Sequence, residues 1–278
     1  MIFKAKKKIF PMKNLPAKKS LGQNFLKSKS AIGDIVKAAE LTQKDTVLEI
    51  GPGKGVLTEA LLAASGKVIA VEKDDRLIKF LQEKFSEEIL NGKFEIIHGD
   101  ILDFNLNDLR NRIETSTYKL VANIPYYITG ILIRTFLESD FQPEKMVLMV
   151  QKEVCDRIVA RDGKESILSV SVKAYGTPKY IKKVPARYFS PAPKVDSAIL
   201  LINNISKDFF TKSDLSEEHF FTVVKAGFAH KRKLAARNLE SHFPKEKIQA
   251  VFAKLNISKT ARPEEISLKN WREIAINH

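Results

Sequence analysis

The stretch Thr46-Val47-Leu48-Glu49-Ile50-Gly51-Pro52-Gly53-Lys54-Gly55-Val56 runs from apolar residues into three glycines and then into a helical pattern. It reads as a strand, a glycine loop and a helix. This unit binds nucleotides because small residues let backbone N–H groups approach a ligand at a helix N-terminus. Lys54 is followed by Gly55 rather than Ser or Thr, so it is not a phosphate-binding Walker loop. It also departs from G-x-G-x-x-G, because Val56 stands where the third glycine belongs. A second strand, Lys67 to Val71, ends in Glu72, an acid placed to accept hydrogen bonds from both ribose hydroxyls of an adenosine. The same features also suit an unliganded turn with a solvated Glu72.

Working outward, a helix is expected from Ser30 to Leu41, another from Asp74 to Leu90, and a third strand from Phe94 to His98. That strand ends in Gly99-Asp100-Ile101, where Asp100 can accept an adenine amine and Ile101 can pack on the ring, or where Asp100 is a simple turn residue. Val121-Ala122-Asn123-Ile124-Pro125-Tyr126-Tyr127 delivers an amide and two aromatics to the end of a further strand. In an open parallel sheet ligands bind at that end. Asn123 offers both an acceptor and a donor to a flat base, and Tyr126 offers a ring face for stacking. An ordinary Pro turn with rim aromatics is the alternative. A buried strand Met146 to Val150 and helices Gln151 to Val159 and Glu165 to Lys173 follow. Tyr180 to Val184 and Ser197 to Ile202 read as an antiparallel pair at one edge. Beyond 203 the pattern is helical: Glu217 to Gly227, His230 to Leu239, Lys245 to Leu255 and a segment near Trp271.

The expected fold is α/β, a doubly wound Rossmann-like sheet with helices on both faces, plus a small all-helical C-terminal domain. The division is 1–17, a basic and flexible arm; 18–203, the sheet domain; and 204–278, the helical domain. At 278 residues with 44% hydrophobic and 29% charged content, the chain can bury a sizeable core. No apolar run is long enough to cross a bilayer. A single cysteine, Cys155, excludes an internal disulfide, and five scattered histidines form no metal-ligand spacing, so no metal is expected. The cytoplasm is the expected location, and a monomer the expected state.

Charge narrows the partner. Forty-seven basic against 33 acidic residues leave +14. Residues 1–29 hold nine lysines and no acid, and residues 225–237 hold Lys225, Lys231, Arg232, Lys233 and Arg237, again with no acid. Together they account for the whole excess. Such a distribution suits phosphate contacts to a polyanion from two segments, while a basic tail that only aids solubility is the plainer reading of the first dozen residues.

Gln23-Asn24-Phe25-Leu26, Glu49-Ile50-Gly51-Pro52-Gly53, Glu72, Gly99-Asp100, Asn123-Ile124-Pro125-Tyr126, Phe189 to Ser197 and Gly227 to Lys233 occur in an order that resembles the ribosomal RNA adenine dimethyltransferases. The resemblance is closest to the branch that modifies 16S ribosomal RNA, and it covers nearly the whole chain from Lys18 on. It implies an S-adenosylmethionine-dependent methyltransferase sheet, with Asn24, Leu26, Gly51, Gly53, Glu72, Asp100, Ile101 and Asn123 at the donor. It also implies that the Asn123 side-chain oxygen and the Ile124 carbonyl draw on the target amine, with Tyr126 and Phe189 stacked on the flipped adenine. The implied partner is the small ribosomal subunit. Large-subunit methyltransferases and nucleic-acid-binding assembly factors share the motifs and remain open readings. Two features depart from the pattern: the Lys-rich arm before Lys18, and Tyr127-Ile128-Thr129-Gly130 where Asn-Ile-Ser is usual.

Overall fold

The structure is a computed structural model and describes residues 15–113, 115–212, 215–230 and 232–277, apart from the side chain of Asn107. After a short strand β1 (Phe25–Leu26) and helix α1 (Lys29–Ala39) come β2 (Thr46–Ile50), α2 (Val56–Ala64), β3 (Lys67–Glu72), α3 (Asp75–Lys84), α4 (Ser86–Leu90) and β4 (Phe94–His98). Then follow α5 (Leu106–Arg112), β5 (Lys119–Asn123), α6 (Thr129–Glu138), β6 (Lys145–Gln151), α7 (Lys152–Val159), α8 (Ile167–Tyr175), β7 (Thr177–Val184), β8 (Phe189–Ser190) and β9 (Ser197–Asn203).

Seven strands form one sheet in the order β4-β3-β2-β5-β6-β9-β7. Neighbours are parallel from β4 to β6, whereas β9 lies antiparallel to both β6 and β7. All five side chains of β2 are buried, as a central strand covered on both faces requires. The chain winds from β2 out to β4, then returns to start β5 on the other side of β2. Their C-terminal ends therefore diverge at a switch point, which opens a crevice. Alternate strand residues feed two cores: Leu48, Ile50, Leu120 and Ala122 face one, Val47 and Val121 the other.

The C-terminal helices are α9 (Asp208–Thr211), α10 (Glu217–Gly227), α11 (Ala235–Glu240), α12 (Lys245–Lys254) and α13 (Leu268–Asn277). A cluster of Tyr175, Phe210, Phe220 and Phe221 joins them to the sheet's core through edge-on and tilted ring contacts. Trp271 is fully buried beneath α10, where a Cβ at Gly227 would come within 2.2 Å of its ring. Only hydrogen fits there. Gly227→Ala should therefore cost about 1 to 3 kcal/mol of stability by overpacking, read as a lowered urea midpoint at unchanged m-value.

Three expectations are corrected. The helix expected over Asp74 to Leu90 breaks at Phe85, whose backbone leaves the helical region (φ −113°, ψ 30°) while its buried ring packs edge-on to Phe94. The helix expected from His230 starts only at Ala235, so Arg232 and Lys233 lie on a loop. Asn238, buried in α11, donates to the carbonyls of Gly227 and His230 and so holds that loop in place of a helical turn. The expected arm ends too late: residues 1–14 lie outside the described residues, but Leu15 packs on the core and the Pro16 carbonyl accepts from Arg76 Nη2 at 3.3 Å. Among the described residues no helix is long and apolar enough to cross a membrane, and no group of acids, His and Cys could hold a metal.

Candidate active site

The crevice at the switch point is built from four strand ends. β2 contributes the glycine loop, β3 Glu72, β4 the Asp100 turn and β5 Asn123, and residues 21–25 cross above them. Gly51, Gly53 and Gly55 all have φ between +59° and +68°, a left-handed conformation that glycine adopts without penalty. At Gly53 there is a second requirement, since a Cβ would meet the Phe25 ring at 3.0 Å. The loop is thus pressed against the roof.

Glu72 is buried and ties this floor together. Its Oε2 accepts from the Gly53 N–H at 3.1 Å and its Oε1 from the Asp74 N–H at 2.9 Å. Burial above all raises its carboxyl pKa, against the lowering effect of those N–H bonds. Each oxygen still has lone-pair capacity for a hydroxyl donor from a ligand. On the neighbouring strand, where Glu49 pairs with Ala70, burial pushes the Glu49 carboxyl up to about 8. The same burial disfavours a charge on Glu49, which limits like-charge repulsion beneath Glu72. Asp100 accepts from the Leu102 N–H at 3.0 Å through Oδ1 and pairs with Lys73 through Oδ2. Buried Ile101 lies beside it on the crevice wall.

At the β5 end, Asn123 Nδ2 donates to the Asn24 carbonyl at 3.1 Å. That bond orients the amide, leaving Oδ1 as the acceptor it presents. Ile124 also lines the crevice, but its side chain is in the core, so what it offers is backbone. The Tyr126 hydroxyl is 2.7 Å from Ser197 Oγ on β9. Burial above all raises its phenol pKa, so the ring stays neutral. Ser197 thereby fixes the ring's angle, a role invisible in its sequence setting. Asp196 beside it accepts from the Ala186 N–H at 2.9 Å and pairs with Lys183 at 2.8 Å, pinning the proline-rich loop.

The structure brings Asn24, Gly51, Gly53, Glu72, Asp100, Ile101, Asn123, Ile124 and Tyr126 to one crevice. Leu26 and Phe189 do not line the crevice with their side chains. They face each other across the β1–β8 pair, and cross-strand partners point to the same side of a sheet. Leu26 is 5% and Phe189 2% exposed, both in the core behind the crevice. Their neighbour Phe25 lines it instead. A two-residue strand carries no periodicity from which that sidedness could be read. Tyr127 is 67% exposed at the mouth, as a rim aromatic would be, and its ring covers Gly22 of the roof.

Of the basic residues, Lys225 lies on α10, Arg232 and Lys233 on the held loop and Arg237 on α11, all exposed and without an ion pair among the described residues. Lys231 lies outside the described residues. A larger cleft of about 910 Å³ opens between α6, α8 and α10. Arg134, Arg157 and Arg161 on its wall are each paired with an acid, and no glycine loop reaches it. It lacks the strand-end acid and glycine loop that the crevice brings together.

The family described as ribosomal RNA adenine dimethylase matches residues 14–277. The ribosomal RNA small subunit methyltransferase A of Dehalococcoides mccartyi is 41% identical over 266 residues, covering 95% of this chain and 89% of the relative. Among solved structures, a dimethyladenosine transferase from Plasmodium falciparum superposes with a TM-score of 0.74 at 26% identity, covering 90% of this chain and 95% of that one. The 23S rRNA methyltransferase ErmE gives a TM-score of 0.74 at 26% identity, with 91% and 98% covered.

Proposed function

The chain belongs to the ribosomal RNA adenine dimethylase family, and from that membership we propose that it is the enzyme that transfers methyl groups from S-adenosylmethionine to the exocyclic amine of adenines in small-subunit ribosomal RNA. The observation that carries this reading is the Asn123 amide, oriented by Asn24 at the edge of a crevice floored by Glu72 and the glycine loop. The residues fit the donor: a glycine cradle that a Cβ would obstruct and a buried carboxylate with lone pairs to spare are what an adenosine with two ribose hydroxyls needs. Asp100 would accept a hydrogen bond from the donor's adenine amine, and Ile101 would pack on its ring.

Bound there, S-adenosylmethionine supplies an electrophilic methyl group on a sulfonium. The chain's own residues deal with the nucleophile. An adenine amine is a poor one because its lone pair is delocalised into the ring. The Asn123 Oδ1 and the Ile124 carbonyl accept from the amine, drawing it towards tetrahedral geometry as the new bond forms. Tyr126, locked by Ser197, stacks on the extruded base, and such a stack is worth about 1 to 3 kcal/mol. No strong base is required, since the alkylated nitrogen is acidic enough to lose its proton to solvent.

Residues 18–203 form the donor and base-binding domain, and 204–278 grip the RNA. Lys225, Arg232, Lys233 and Arg237 are exposed and without an ion pair among the described residues, and Lys231 adds to them in sequence. Changing Lys231, Arg232 and Lys233 to Ala should flatten the dependence of log affinity on log salt by about two to three units, at 0.7 to 0.9 per lost phosphate contact, with donor binding unchanged. An unchanged slope for purified small subunits removes the loop from the interface. The likeness to the 23S enzyme, at 26% identity, supports a large-subunit substrate less strongly than the 41% relative supports a small-subunit one. Offering labelled donor with small or large subunits separates the two. Label in the small subunit supports this assignment, and label confined to the large subunit refutes it.

A further inference from the structure

One carboxylate near the crevice has no part in the chemistry above, yet it accepts five hydrogen bonds. The Asp74 side chain is 0% exposed. Its Oδ1 accepts from Lys18 Nζ at 3.0 Å, Arg76 Nε at 3.0 Å and the Arg76 N–H at 3.2 Å, and its Oδ2 from Gln23 Nε2 at 3.0 Å and Arg76 Nη2 at 2.7 Å. The Arg76 guanidinium above all, with Lys18 and Gln23, holds this carboxyl well below the usual carboxylate range. As the N-cap of α3, Asp74 needs only the bond from the Arg76 N–H. The bonds from Lys18 and Gln23 go elsewhere, to the segment that roofs the crevice.

That segment is cross-tied. The Lys18 N–H donates to Gln23 Oε1 at 2.8 Å, Gly22 lies under the Tyr127 ring, and the Asn24 carbonyl holds the Asn123 amide. Beneath it the crevice encloses about 100 Å³, against roughly 300 to 1,000 Å³ for sites that hold a small-molecule ligand. The crevice as it stands is therefore smaller than a nucleoside-sized donor needs, and the roof residues 21–25 form one of its walls. Asp74 also donates its own N–H to Glu72 Oε1 at 2.9 Å. The point that grips the roof and the acceptor for the ribose thus share one turn of chain.

We propose that Asp74 is a positioning residue that latches the roof, residues 18–25, through Lys18 and Gln23, and so sets the rate at which the methyl donor and its demethylated product leave. This rests on the crevice being the donor site. Two methyl groups on one nitrogen require the pocket to be emptied and refilled between transfers, so roof opening is a step of dimethylation. Lys18 is 42% exposed. Its bond to Asp74 is therefore the part of the latch that salt can weaken.

The test is dissociation of S-adenosylhomocysteine from the full chain, followed by stopped-flow displacement. Asp74→Ser keeps a good N-cap for α3 but removes both ties. Gln23→Leu removes the neutral tie and leaves Asp74 in place. Release should be about tenfold faster or more in Asp74→Ser, the equivalent of one charge-assisted hydrogen bond, and a few-fold faster in Gln23→Leu. Raising salt should speed release from the wild type and leave Asp74→Ser unaffected, a response that a helix cap alone would not produce. Wild-type release rates in folded Asp74→Ser and Gln23→Leu overturn the latch. If Asp74→Ser does not fold, Gln23→Leu and Lys18→Met decide by the same criterion. A wild-type chain that binds no S-adenosylhomocysteine overturns the donor-site reading itself, a failure distinct from an unlatched roof.

Discussion

Asn123→Ala should lower single-turnover methyl transfer by about 10²- to 10³-fold, the loss seen when one oriented polar group is removed from a transition-state contact. The reason lies in what the amide does at each end. Its Nδ2 donates to the Asn24 carbonyl, which leaves Oδ1 as the acceptor offered to the reacting amine in the proposed reaction. The contact with the amine strengthens only as the nitrogen pyramidalises, so RNA affinity should change little. Donor affinity should fall modestly, because the roof loses one tie. Rapid-quench methylation with saturating donor and RNA measures the first effect and calorimetry the others. Near-normal single-turnover rates in a folded variant would remove Asn123 from the chemistry.

Glu72→Ala should weaken donor binding by about 10²-fold or more. Two hydroxyl contacts to a carboxylate are each worth roughly 1.5 to 3 kcal/mol at most. The substitution also leaves the Gly53 and Asp74 N–H groups without their acceptor, so the glycine loop loses its anchor along with the ligand. Glu72→Gln keeps one acceptor oxygen and should fall between the two. Calorimetric titration with S-adenosylhomocysteine reads this directly, and wild-type affinity in a folded Glu72→Ala variant would exclude Glu72 from the site.

The sheet was legible because its signals are local. β2 is a short buried run whose apolar residues Val47, Leu48 and Ile50 are broken only by Glu49, and the loop after it announces itself by three glycines whose backbone angles the structure shows to be left-handed. Glu72, Asp100 and Asn123 were found because each stands at the end of such a run. The basic run was legible as charge, but its conformation was not: the loop is held by Asn238, eight residues beyond His230, and a helical pattern continues through that sequence. The break at Phe85 likewise depends on Phe94, across a turn. Leu26 and Phe189 were assigned to the crevice by motif, whereas their side is decided by pairing between segments more than 160 residues apart. Asp74 joins Lys18 across 56 positions and Gln23 across 51, a convergence that no periodicity announces. Ser197 stands 71 positions from the Tyr126 it fixes.

The measurement closest to the central claim is the identity of the product. Small ribosomal subunits that lack the modification are incubated with the purified chain and labelled S-adenosylmethionine, and the RNA is digested to nucleosides and resolved by mass spectrometry. A site in which Asn123 and Ile124 draw on an exocyclic amine predicts label on adenosine carrying two methyl groups at N6, with the monomethyl form accumulating only at limiting donor. Label on a ring nitrogen, on the ribose or on another base would contradict it.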